Sequence, residues 1–421
     1  MINELFEFMT LAFPKAGVQV GVPITVAMLL FCLALAKSQY QVVPAFLAIK
    51  GLPAAYLVFV FVVCVSFLFN LSDMTAFNIS IVMVVIGSPL ALAIGRTVDP
   101  EKAIKLLTIS LIVVGFCALI QRVLGITHAS IPGVTYTLGQ DLADKPIGYG
   151  MASSGDAQKM PSTYQNGNGA GLFYALAMPI LLAWRLEFTK WQILRGLAVL
   201  LGLIGLLLSG SRSILIPFCL FFLFIFSLLK NRLTYRRQIL FLAVSLLVLF
   251  FTIVYLMQAH SAVLTQLYAR YVSQTVSDPT GSDRTVQYQT AFSQIQPLTG
   301  WAFVRFLCIG LPWSQIGGIE GFLSTLFMYG LFGFLAFMAS LFVTALHIYR
   351  LNKLNAIGFI CVFIAFIVDG SFNYPPGLMN FFFLAGLLSR VDRVETRDTL
   401  LQQPLEWLDW VQRRDKQWRL Q

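Results

Sequence analysis

Charge is what this chain has least of. Only 11% of its 421 residues are Asp, Glu, Lys or Arg, against about 25% in a soluble domain. That shortage excludes an ordinary water-soluble fold. Acids are scarcer than bases, 19 against 29, which leaves a net charge of +10. The excess does not read as a nucleic-acid footprint. The bases sit in short connections between apolar runs, as membrane topology requires, and not in one basic patch. Histidine occurs three times. No His-Glu-x-x-His, Cys-x-x-Cys or paired-carboxylate pattern is present, so no metal and no cofactor are expected. Five of the six cysteines, Cys32, Cys64, Cys117, Cys219, Cys308 and Cys361, lie inside apolar runs. They read as small buried hydrophobes and not as a disulfide framework. A basic leader is also missing. Met1–Pro14 carries Glu4 and Glu7, so the first span is expected to be retained.

What the chain has is apolar length. Hydrophobic residues make up 58% of it, and its mean hydropathy is +0.78. A helix crosses a bilayer with about 20 such residues. Runs of this kind lie near 20–36, 52–70, 75–94, 103–124, 169–184, 193–209, 213–229, 238–257, 320–346, 354–371 and 376–389. The expected fold is therefore an all-α polytopic membrane protein with roughly 11–12 transmembrane helices. It forms a single integral membrane unit over 1–421. Leu5–Phe13 reads as an interfacial amphipathic stretch, and Val42–Ile49 as a candidate re-entrant segment.

Every second connection is basic. Lys37 and Lys50 follow the first span, and Arg96, Lys102 and Lys105 lie between the third and fourth. Arg185, Lys190 and Arg195 follow the fifth, Lys230, Arg232, Arg236 and Arg237 the seventh, and His347, Arg350 and Lys353 the ninth. The positive-inside rule makes these cytoplasmic. It puts the N-terminus and the loops 71–74, 125–168, 210–212, 258–319 and 372–375 outside. The two long outer loops, 125–168 and 258–319, are expected to hold short helices. The tail 390–421, with Trp407, Trp410 and Trp418 among charges, reads as an amphipathic cytoplasmic helix.

With no soluble catalytic domain in sight, chemistry falls to the outer loops and span ends. Ser209-Gly-Ser-Arg-Ser213 joins two spans with almost no loop. Arg212 at the hydrocarbon boundary needs an anion, a partner or a polar cavity. Its fork suits a phosphate bidentately, with Ser211 beside it; the alternative is an anchor on lipid headgroups. In the second outer loop, Ser282 or Asp283 caps a helix with Arg284 in its first turn. A cation there is electrostatically misplaced unless it binds an anion; the alternative is a solvated surface helix. Pro297-Leu-Thr-Gly-Trp301 follows as a turn, then Arg305. Glu320 is an acid at the outer entry of an apolar helix, a functional candidate or simply a complement to the helix dipole. The first outer loop ends in Thr163-Tyr-Gln-Asn-Gly-Asn-Gly-Ala-Gly171. Its glycines permit close backbone approach, and Gln165, Asn166 and Asn168 suit sugar hydroxyls; the alternative is a polar helix entry. No strand precedes these glycines, so a nucleotide fingerprint is unsupported. Outward arginines beside lipid point to a lipid-linked anionic substrate.

The Ser-Gly-Ser-Arg turn, the Ser282-Asp-Arg284 loop with its Pro-Leu-Thr-Gly-Trp, and the helix Gly321-Phe-Leu-Ser-Thr-Leu-Phe-Met-Tyr-Gly-Leu-Phe-Gly333 together resemble a bacterial family. It is the O-antigen ligase and O-antigen/exopolysaccharide polymerase superfamily, over about residues 160–335. The resemblance implies a GT-C-like, metal-independent, inverting glycosyltransferase of the inner membrane with its site facing the periplasm. Its donor would be an oligosaccharide on undecaprenyl pyrophosphate, and its partners membrane lipids, a flippase and a chain-length regulator. Arg212 and Arg284 would be the catalytic, pyrophosphate-binding arginines, helped by Ser211 and Arg305. Gln165, Asn166, Asn168, Trp301 and Asp283 would meet sugar or acceptor. Ligases carry a histidine just before the Gly-Leu-x-Gly helix, where this chain has Ile319-Glu320. The departure favours a polymerase over a ligase and makes Glu320 the candidate base.

Overall fold

In the computed structural model, the described residues are 1–71, 75–142, 147, 159–184, 189–229, 289, 293, 300–310, 321–368 and 376–390. The expected span 238–257, the tail beyond Arg390, and Asp283, Arg284 and Glu320 lie outside them.

The described chain is predominantly helical. In order it forms α1 (Ile2–Ala12), a hairpin of β1 (Gly17–Val20) and β2 (Val22–Thr25), α2 (Val26–Ser38), α3 (Val42–Leu47), α4 (Leu52–Phe69), α5 (Ala76–Gly87), α6 (Ala91–Gly95) and α7 (Pro100–Leu124). After these come α8 (Ile126–Ala129), α9 (Gly167–Ala183), α10 (Thr189–Leu208), α11 (Arg212–Leu229), α12 (Trp301–Val304), α13 (Phe322–Leu351) and α14 (Lys353–Val368). A last apolar helix, α15, covers Gly377–Arg390. Five helical stretches are long and apolar enough to cross a membrane: Val26–Leu47, Leu52–Phe69, Pro100–Leu124, Lys190–Leu208 and Phe322–Leu351. Their outward faces carry Leu33, Phe61, Phe116, Ile193 and Phe342 exposed. A surface this apolar belongs against lipid.

The middle of the bundle is α9. Its residues from Ala170 to Leu181 are buried on every side, the pattern of a helix with no polar face to present. It packs against α7, α10, α11 and α14. The helix α7 starts at a strong boundary: Asp99 accepts from the Lys102 amide (3.0 Å), with Pro100 in the first turn.

Among the described residues, the basic connections at the starts of α7 and α10 and at the ends of α13 and α15 gather at one end of the bundle. Lys105 lies 5.5 Å from the Trp191 ring, bringing the start of α7 to the start of α10. Arg390 donates to the Val98 carbonyl, and His347 lies 3.2 Å from the Ser389 hydroxyl. The alternation read from the sequence therefore has a physical counterpart.

Three expectations are corrected. The N-terminus belongs to this basic end and not to the opposite one, because Glu4 pairs with Lys102 (3.9 Å) and Asn3 bonds to Thr97. The α1 segment is no interfacial helix either. Phe6, Leu11 and Ala12 are fully buried, and Phe6 packs on Phe383 of α15. The stretch before α2 is not the start of a span but an antiparallel hairpin, pairing Gly17 with Thr25. Residues 133–138 extend it, through Gly17 N–H to Gly133 (3.1 Å) and Gln19 N–H to Leu138 (2.7 Å). The hairpin explains the side change: α1 climbs from the basic end, the chain turns through β1 and β2, and α2 returns.

Two expected spans are interrupted. The run 75–94 divides into α5 and α6 at a 3-10 turn, Ser88–Leu90. Inside α13 the backbone breaks at Gly330, with φ 70° and ψ 176°. Beside the break, the Ser66 hydroxyl of α4 donates to the Met328 carbonyl (2.8 Å).

Sidedness is directly testable. In a cysteine-free background, a cysteine at position 2 and one at Lys102 should react with an impermeant maleimide from the same side. A cysteine at Gly139 should react from the other.

Candidate functional site

The site is built at the end opposite the basic connections, where α7 and α10 finish and α9 and α11 begin. Two motifs far apart in sequence meet there through their backbones. A β-carbon at Gly167 would stand 2.3 Å from the Ser209 carbonyl, and one at Gly171 3.3 Å from the Ser211 β-carbon. Glycine is required because the first turn of α9 lies directly on the Ser209–Ser211 turn. Gly210 makes that turn at φ 64°. The result is a pair of adjacent helix N-termini, α9 and α11, each with a positive dipole end.

Cations flank the pair. Arg212 is half-buried at the first residue of α11. Lys159, which the sequence does not single out, donates from Nζ to Asn168 Oδ1 (3.2 Å). Its main chain is held by the next residue, Met160, whose N–H meets the Leu208 carbonyl (3.0 Å). The hydroxyls of Ser211 and Ser213 lie 3.3 Å apart beside Arg212, and Ser211 is almost fully buried. Hydroxyls, helix ends and cations close together make an anion-binding arrangement.

The three amides expected at sugar have distinct places. Asn166 caps α9, accepting from the Asn168 amide (2.9 Å). Asn168 accepts from Lys159. Gln165 donates to Gln140 Oε1 (2.8 Å). Thr137 Oγ1 lies 3.2 Å from Gln140 Oε1 and 3.4 Å from Gln19 Oε1. A line of carboxamides and a hydroxyl thus runs from the glycine turn to the hairpin. Along β1, Val18 and Val20 are exposed while Gln19 turns toward this line. The hairpin shows its apolar side outward and its polar side to the site, the reverse of a soluble hairpin.

Backbone strain is concentrated in the same loop. Ser162 and Gln165 are the non-glycine residues with positive φ, 54° and 63°, among the described residues. Such conformers persist only where the surroundings over-determine them. Gln121 of α7 does this for Ser162: its Oε1 accepts from the Ser162 amide (2.6 Å) and its Nε2 donates to the Ser162 carbonyl (2.9 Å). The Ser162 hydroxyl donates to the Val114 carbonyl (2.6 Å). Between the two strained residues, the Tyr164 hydroxyl donates to the Leu11 carbonyl (2.8 Å) and accepts from Asn380 (3.2 Å). The loop is clamped to α1, α7 and α15.

Arg305 and Trp301 form a separate group. Arg305 donates to the Asn70 carboxamide at the end of α4. The exposed Trp301 ring lies 5.9 Å from Phe69. Their segment, 300–310, packs on the break in α13: a β-carbon at Gly330 would stand 2.9 Å from the Leu307 carbonyl. The structure thus brings Arg212, Ser211, Gln165, Asn166 and Asn168 together and gives Arg305 and Trp301 other neighbours. Gln19, Gln121, Thr137, Gln140, Lys159, Tyr164 and Asn380 are additions. The available signal was polarity inside apolar runs, which marks Gln121 and Asn380; the others carry no signal in isolation.

No protein-family model matches the chain, and no curated protein matches it. Among the described residues no cluster of His, Cys, Asp or Glu could hold a metal.

Replacing Gln121 with Leu leaves the buried Ser162 N–H and C=O without partners. Each such group costs about 1–3 kcal/mol, so Gln121→Leu should destabilise the detergent-purified protein by about 2–6 kcal/mol in a denaturant titration. A change near zero would show that Gln121 does not hold Ser162 in place.

Proposed function

We propose that this chain is a membrane glycosyltransferase acting on an oligosaccharide linked to undecaprenyl pyrophosphate, and that it polymerises repeat units. The observation that carries the reading is the meeting of the α9 glycine turn with the Ser209–Arg212 turn. It gathers two helix N-termini, Arg212, Lys159 and a line of carboxamides at the end away from the basic connections. By the positive-inside rule that end is non-cytoplasmic, periplasmic in a cell with two membranes. A pyrophosphate needs the first part of this arrangement and a glycan the second. The motifs resembling the O-antigen polymerase and ligase superfamily support the same reading and a GT-C-like, inner-membrane placement.

The reaction on this reading is an inverting displacement. The acceptor hydroxyl oxygen attacks the anomeric carbon, and the bond from that carbon to the pyrophosphate oxygen breaks. The hydroxyl proton passes to a base, for which Glu320 is the candidate. The leaving pyrophosphate gains negative charge, which Arg212 and the positive ends of α9 and α11 stabilise, with Arg284 a candidate for the same role. Gln165, Asn168 and Gln140 orient sugar hydroxyls. Ser211 adds a donor to phosphate, while Arg305, Trp301 and Asp283 remain candidates for the rest of the donor and acceptor. Transfer to a lipid A–core acceptor, the ligase reaction, needs the same donor half.

A transporter of anionic or lipid-linked solutes is the second reading. The break at Gly330 favours it, because discontinuous helices line many transport paths. The clustering of the site's cations at one end argues for chemistry on one face instead.

Loss of one such electrostatic partner costs about 10²–10³ in turnover. Arg212→Ala should therefore lose at least about a hundredfold in repeat-unit polymerisation, and Arg212→Lys less, since a point charge survives without the fork. Glu320→Gln should abolish turnover while undecaprenyl pyrophosphate still binds. Near-wild-type rates in Arg212→Ala would sink the proposal.

A further inference from the structure

Glu7 is the most anomalous side chain outside the site. It is 0% exposed, and neither carboxylate oxygen has a hydrogen-bond partner. One turn below it on α1, Asn3 uses its amide nitrogen on Ser38 (2.9 Å) and Thr97, leaving its Oδ1 buried and also without a donor. One turn above, Thr10 donates to Asn380 Oδ1 (3.1 Å). Asn3, Glu7 and Thr10 form one stripe of α1, spanning about 10 Å of helix rise.

The charged groups around this stripe lie below it. They are the amino terminus, Lys102 and Lys37 around Glu4, with Arg96 next in sequence to the Thr97 that bonds Asn3 and Arg390 at the Val98 carbonyl. None of the ion pairs among the described residues includes Glu7. Tyr164 supplies the titratable phenol above it, one hydrogen bond beyond Asn380. Burial without a donor or counter-ion favours the neutral form of the Glu7 carboxyl.

An ionised carboxylate here would be a buried charge with neither counter-ion nor donor, which costs far more than proton uptake. A cluster of acceptors with no donor lacks a proton. We infer that Glu7 is a proton-binding site inside the bundle, occupied at neutral pH, with the acidic hydrogen shared toward Asn3 Oδ1. Toward the basic end the stripe continues through Asn3 to Ser38 and Thr97. In the other direction the stripe is joined to the outer site: Thr10 to Asn380, Asn380 to Tyr164, and Tyr164 to the strained loop ending at Gln165. Removing the proton leaves an uncompensated charge in the bundle. The site holds whichever chemistry the outer end performs.

Infrared spectroscopy of the full chain in nanodiscs reads this directly. At neutral pH the wild-type minus Glu7→Gln difference should contain a protonated carboxyl C=O band that shifts in D2O. The band should vanish as pH rises through the folded value. A difference showing an ionised carboxylate at neutral pH would overturn the inference. Loss of the band at neutral pH on adding Na⁺ would also overturn it, assigning the site to a metal cation. A stability measurement covers failure of the Gln variant to fold. A carboxyl raised in the folded state stabilises fully below the unfolded value of about 4.3, and that contribution is lost as pH climbs toward the folded value. Wild-type unfolding should therefore become easier by up to about tenfold in equilibrium constant per pH unit over that window, and Glu7→Met should lack this slope. Equal slopes in the two proteins would refute proton binding at Glu7.

Discussion

The rest of the structure depends on α9 having no outer face. A helix buried on all sides from Ala170 to Leu181 can only be the axis of a bundle, and its neighbours α7, α10, α11 and α14 are placed by packing on it. Where it begins, the backbone must emerge from apolar surroundings with its first amides unsatisfied. In a membrane those groups cannot be left to lipid. The Asn166 cap, the glycine contact with Ser209 and the Gln121 clamp on Ser162 are answers to that constraint. They also bring an arginine, a lysine and a row of carboxamides into one place. The same desolvation that demands partners here makes any remaining donor strong toward an anion.

Much of the architecture was legible in the sequence. The helices α4, α7, α10 and α13 are long apolar runs, and period and length suffice to find them. The alternation of basic loops was legible because charge at the membrane boundary is set by topology and not by tertiary detail. The hairpin was not legible. Val18, Val20, Val22 and Ile24 read as the opening of the next span, and what makes them strands is pairing with residues 133–138, more than a hundred positions away. The position of the N-terminus failed for the same reason, since it rests on the hairpin reversing the chain.

The site was legible in its parts and not in its assembly. The glycine turn and the Ser-Gly-Ser-Arg turn each stand out as motifs, but only their close backbone contact makes one site of them. Lys159 and Gln140 are ordinary loop residues until Asn168 and Gln165 are seen to face them. Glu7 is the clearest case. In the sequence it marks only the lack of a basic leader; its burial is a consequence of α1 lying between α2, α7 and α15. Tyr164 then makes the two halves of the molecule one system, because the phenol that anchors the outer loop also closes the polar stripe below it.

We propose that the cationic, amide-lined end performs glycosyl transfer from a pyrophosphate carrier. The most direct measurement is to incubate the purified chain in nanodiscs with its lipid-linked repeat unit, alone and with lipid A–core, and to resolve the products by mass spectrometry. A ladder of longer lipid-linked glycans from the repeat unit alone, with free undecaprenyl pyrophosphate released, is the expected result. With the native repeat unit confirmed, an unchanged substrate in both mixtures would contradict glycosyl transfer at this site.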